Sequence, residues 1–241
     1  MTAFTSTWRQ ASIAFVTVAL GTGTSSIHLH AQESFVQVSA EPLHRMKLDT
    51  AKYRVYEVLI NPGETMQFHE HKADNFAVLL SQSDLTNEPQ GGQKTDVSVK
   101  PGIVAFALAS PTKSYVHRVL LRGGAPFRNI TIELLLPQAA ASTPDAPEQL
   151  DPALTTVREA PRGKAFRVNL EPNQSVKLPS RTSDIFLVCL SDGSMVQQMP
   201  NQSNTTWNCK AGDFRLLEQP RETVLKNQAP AKVEFVVIAI Q

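Results

Sequence analysis

The chain has 241 residues, 41% hydrophobic and 19% charged, the balance of a globular protein and not of a disordered or fibrous one. A formal net charge of +1, with no Lys/Arg run, gives no pull toward nucleic acid, and nucleic acid is not an expected partner. The length fits one large domain or two small ones.

Residues 1–31 read as an export signal. Arg9 precedes the apolar run Ala11–Leu20, which has the length of a signal core and is too short for a membrane span. Cleavage after Ala31 would remove Arg9, bring the net charge to 1 − 1 = 0, and leave no stable membrane span. The expected location is secreted or periplasmic, with a retained anchor helix as the alternative.

Short β-branched and aromatic runs follow at Tyr53–Ile60, Met66–His71, Phe76–Leu80, Ile103–Leu108, Tyr115–Leu121 and Arg128–Leu136, separated by Gly, Pro, Asn and Asp. No helical period carries a cap and a stop, so the fold class is all-β, a sandwich or barrel. Residues 137–164 carry four prolines in the first sixteen positions, the composition of a stiff linker. Strand-like sequence resumes at Phe166.

The segment then repeats itself. At a constant offset of 110, Pro62, Asp74, Phe76, Leu80 and Ser81 fall on Pro172, Asp184, Phe186, Leu190 and Ser191, and Lys100 and Gly102 on Lys210 and Gly212. Both copies close on an apolar strand. The expectation is two homologous domains, 32–136 and 165–241, joined by the linker at 137–164.

In the first copy, His69 and His71 sit two apart and share one strand face, which sends Glu70 to the other. His117 follows the Pro101-Gly102 turn as a third candidate ligand. His44 reads as a surface residue on the lead-in segment. Tyr115 shares the His117 face and reads as a pocket residue or as ordinary core. No glycine-rich phosphate loop, Gly-x-Ser-x-Gly elbow or Ser/His/Asp set is evident.

Gly63-x5-His69-x-His71, with Pro101-Gly102, His117 and Gly123, resembles the two motifs of the cupin superfamily. The resemblance implies two tandem jelly-roll β-barrels. It also implies a divalent transition metal (Fe, Mn, Ni, Cu or Zn) on His69, His71 and His117, and a candidate homodimer. The family's motif glutamate is here Asn75, at most a weak ligand or pocket residue, and the asparagine expected near the last His is Leu121. In the second copy the four ligand places fall on Pro179, Arg181, Ile185 and Arg221, which offer no metal ligand.

The expected function is an extracytoplasmic metal-binding bicupin, an oxygenase or isomerase acting on a small molecule. The alternative is a non-catalytic binding or structural module with a vestigial site. A sugar-binding or storage-type protein would share the fold, but no residue favours it. Cys189 and Cys209 are left as either a cross-strand disulfide or two buried thiols.

Overall fold

The computed structural model describes residues 34–137, 150–179, 184–220 and 222–241. The expected signal segment, residues 138–149 of the expected linker, Arg181 and Arg221 lie outside them.

The first barrel takes its strands from β1 (Val36–Gln37), β2 (His44–Asp49), β3 (Tyr53–Ile60), β4 (His69–His71), β5 (Asp74–Leu79), β6 (Ser83–Pro89), β7 (Thr95–Val99), β8 (Val104–Ala107), β9 (Tyr115–Gly124) and β10 (Phe127–Leu134). They form two facing sheets in the orders β1-β4-β9-β6-β7 and β2-β3-β10-β5-β8. The second barrel uses β11 (Thr155–Ala160), β12 (Gly163–Leu170), β13 (Ser175–Lys177), β14 (Ile185–Cys189), β15 (Gly193–Gln198), β16 (Thr205–Cys209), β17 (Phe214–Leu217), β18 (Val224–Asn227) and β19 (Val233–Ile240). Its sheets run β11-β12-β19-β14-β17 and β13-β18-β15-β16.

The central strands are buried on both faces, which is why they read as near-continuous apolar runs. Along β3, Tyr56, Val58 and Ile60 face the interior of the first barrel, where they meet Met66, Leu79, Leu85 and Phe127. Tyr53 and Val55 face the other way, with Phe76, Val78, Ile130, Ile132 and Leu134. There they pack on Ala165, Phe186, Val188, Val236 and Ile238 of the second barrel. The two barrels therefore share a hydrophobic layer, and the five-stranded sheets that carry it are equivalent in the repeat.

That layer is bordered by contacts that obey the repeat. Asp74 Oδ1 accepts from Ala109 N (2.9 Å), and Asp184 Oδ1 from Gln219 N (3.1 Å). Asp74 Oδ2 takes Arg162 at 2.7 Å, whereas Asp184 Oδ2 takes Lys52 at 3.3 Å and Tyr53 Oη at 2.8 Å. Lys52 and Arg162 are themselves 110 residues apart, so each barrel's repeated aspartate is held by a cation of the other. A second pair has swapped sign. Arg128 binds Glu57 at 2.7 Å, while at the equivalent places Glu234 binds Arg167 at 2.6 Å. Gly102 and Gly212, both at positive φ, pack against Arg167 and Arg128 respectively, where a Cβ would come within 2.8 Å and 2.5 Å.

The linker expected over 137–164 is shorter in the structure. Thr155–Ala160 is strand β11, paired antiparallel with β12 from Gly163 onward. The β-branched Thr155, Thr156 and Val157 favour extension, and the prolines that suggested a linker lie mostly before them. Cys189 and Cys209 meet as buried free thiols in the core of the second barrel, of the two alternatives the thiol one. Among the described residues no helix is long and apolar enough to cross a membrane.

Candidate metal centre

Strand alternation and register place the three expected ligands together. His69 stands directly opposite His117, and His71 opposite Tyr115, across the β4–β9 pair. His69 and His71 are 1% and 3% exposed. Nε2 of His71 lies 3.3 Å from Nε2 of His117, and the His69 ring is centred 4.9 Å from His71 and 4.7 Å from His117. Glu70 points outward as its alternation requires, binding Gln37, Ser114 and Lys72.

A fourth imidazole joins them. His44, expected on the surface, lies on β2 opposite Val58 and is 8% exposed. Its ring is centred 4.5 Å from that of His69, and one ligand atom each from His44, His69 and His71 lies within 4.8 Å of the others. The sequence reading missed it because only the pairing of β2 with β3 turns this position inward. Glu41, three residues earlier, was the available signal, since a carboxylate at that spacing can hold an imidazole.

All four rings are approached at Nδ1. His44 Nδ1 meets Glu41 Oε2 at 3.0 Å, His69 Nδ1 meets Gln67 O at 3.0 Å, and His117 Nδ1 meets Asn87 Oδ1 at 2.7 Å. His71 Nδ1 has Glu133 Oε1 at 3.6 Å, ion-pair range but too long for a hydrogen bond. A proton on each Nδ1 leaves the Nε2 lone pairs toward the cluster, the tautomer that a metal requires. His69 Nε2 is buried with no hydrogen-bond partner, an atom that an ion would satisfy.

Electrostatics agree. Burial, followed by the nearby His44, His117 and His71, pushes His69 down to about 2. Burial, with His71 and His44, pushes His117 down to about 3. His71 is lowered by burial against a partial upward pull from Glu133. Neutral imidazoles offer their lone pairs without competition from protons. Burial alone would raise Glu41, but hydrogen bonds from His44, Gln67 N and Leu43 N hold it below the usual carboxylate range.

Asn75 turns its amide to Tyr115 Oη at 3.0 Å and to Ala73 O at 3.3 Å. Tyr115 in turn stacks on His71, with ring centres 4.8 Å apart and planes at 19°. Asn75 thereby holds Tyr115 beside the histidine cluster. His71, Asn75, Tyr115 and Glu133 gather at one end of the barrel, opposite the apolar end made by Ile60, Leu79 and Phe127. Burial holds the Tyr115 phenol at about 12, so it stays protonated.

The second barrel has the same frame with a different filling. The cross-strand pair Asn75/Glu133 becomes Ile185/Ala239, and Tyr56 becomes Phe166. The interior there is a continuous apolar core of Phe166, Ile185, Leu187, Phe235 and Val237. Among the described residues the His44–His69–His71 group is the one cluster with metal-ligand geometry.

No protein-family model matches the sequence, and no curated protein does. Solved structures do match in fold. AerE from Microcystis aeruginosa is similar at a TM-score of 0.58 and 10% identity, over 83% of this chain and 98% of that one. A variant of Bacillus subtilis oxalate decarboxylase is similar at 0.54 and 12% identity, over 84% of this chain and 76% of that one. A variant of salicylate 1,2-dioxygenase from Pseudoaminobacter salicylatoxidans is similar at 0.53 and 11% identity, over 79% and 72%.

Proposed function

Because this chain has the two-barrel cupin fold, we propose that it is a divalent-metal protein. In this reading one ion sits in the first barrel on Nε2 of His44, His69, His71 and His117, and the second barrel is a filled structural partner. The observation that carries it is the shared orientation of four imidazoles, three buried and that of His117 half-buried, each approached by oxygen at Nδ1, with His69 Nε2 otherwise orphaned. Imidazole donors suit Zn, Cu, Fe and Ni, and the ligand set by itself selects none of them.

A bound divalent ion supplies a Lewis acid for an oxygen of a small organic molecule. The protein's part is to orient and to exclude water. Tyr115, fixed between Asn75 and the His71 ring, offers a phenolic O–H at the polar end of the barrel. The apolar end keeps bulk water from the far side. We read the activity as that of an oxygenase or isomerase, supported by a dioxygenase among the fold neighbours, and the location as extracytoplasmic, supported by the Ala11–Leu20 run.

Elemental analysis of the purified chain, after equilibration with Fe, Mn, Ni, Cu and Zn, tests the reading. About one equivalent of metal is expected, lost in His71→Ala and weakened in His44→Ala. A folded protein that takes up none of the five would make the histidines vestigial and the module non-catalytic.

A further inference from the structure

We propose that Glu133 is the carboxylate that serves this metal centre from behind His71, directly across the strand pair from Asn75; the inference rests on the metal reading above. Four neutral imidazoles bring no charge of their own to a divalent ion in a buried site, and Glu41 behind His44 is a single counter-charge to a double one. Glu133 is itself an unusual residue for an interior, 2% exposed on β10. Its Oε2 accepts from Tyr56 Oη at 3.3 Å, and its Oε1 faces His71 Nδ1 at 3.6 Å. His71 Nδ1 is a buried polar atom without a hydrogen-bond partner, aimed at that carboxylate.

Register explains how the substitution works. Glu133 pairs directly with Asn75 across β10 and β5, so the two side chains stand side by side on the interior face. Directly opposed residues have Cβ atoms roughly 4.5–5.5 Å apart, within the reach of one glutamate side chain. A carboxylate can therefore leave position 75 and still serve the same centre from position 133. It does so through His71: at ion-pair range it favours the proton on Nδ1, which leaves Nε2 for the ion, and places a negative charge behind the ring. Glu133 is thus a positioning residue. The second barrel, where this pair is Ile185 and Ala239, has lost both carboxylate positions.

Co(II) titration of the full chain, read by affinity and by the visible ligand-field spectrum, tests this. Glu133→Gln is expected to keep its fold, weaken Co(II) roughly 10–100-fold and alter the spectrum. The double variant Asn75→Glu/Glu133→Gln is expected to recover most of that affinity. A Glu133→Gln protein with wild-type affinity and spectrum, even if it melts earlier, would reduce Glu133 to a structural role and overturn the inference. Wild-type protein that binds no Co(II) would overturn the metal reading and this inference with it. Should Glu133→Gln not fold, Glu133→Asp withdraws the charge by one methylene; unchanged Co(II) binding there would also overturn the proposal.

Discussion

At the scale of single residues, the histidine cluster makes the protein sensitive to acid. His69 and His117 are held at about 2 and about 3 by burial, and His71 is also lowered. In the unfolded chain each imidazole titrates near ~6.5. Between these limits the unfolded state carries the extra protons, so the stabilisation is complete above pH ~6.5 and drains away as pH falls toward about 3. Each buried imidazole contributes up to ~1.4 kcal/mol per pH unit in that window. Thermal melts of the metal-free protein should therefore show Tm falling steeply below pH ~6.5. His69→Gln should flatten the slope, and equal slopes for the two proteins would mean that the imidazole is not held neutral.

Between elements, the repeated aspartates join the barrels and stay clear of the histidine cluster. Asp74, beside Asn75, faces away from the histidines and binds Arg162, whose side chain is 7% exposed and also donates to Leu136 O at 2.8 Å. Asp74→Ala leaves that charge buried without its partner, a loss of about 3–5 kcal/mol. The equivalent cation in the other half, Lys52, is 42% exposed. Its removal should cost no more than about 1 kcal/mol, because water already screens the pair. Urea melts of Asp74→Ala and Lys52→Ala compare the two directly; similar losses would show that burial does not separate them.

For the whole molecule, the shared apolar layer predicts that the first barrel needs the second to fold, although the second has no ligand set of its own among the described residues. Residues 34–137 alone would expose Val55, Phe76, Val78, Ile130 and Ile132, each 0–1% exposed in the full chain. A face of that kind favours aggregation. Expression of the fragment should give insoluble or dye-binding material, recovered by co-expression of residues 150–241. A soluble, monomeric fragment with the full chain's near-ultraviolet spectrum would show that the layer is dispensable.

Much of this could be read from the chain alone. The alternation of Tyr53–Ile60, the offset of 110 and the His-x-His spacing gave the strands, the two copies and three of the clustered histidines, because strand periodicity and repetition are local properties. The loss of ligands from the second copy was equally legible. The rest depends on which strand lies beside which. His44 and Glu133 enter the centre through the pairing of β2 with β3 and of β10 with β5, contacts that no local pattern encodes. The start of the second barrel at β11 was obscured by the prolines just before it, although Thr155, Thr156 and Val157 favour extension. A polar side chain on a strand becomes either a surface group or a buried partner according to its neighbour's register, and only the closed barrel decides that.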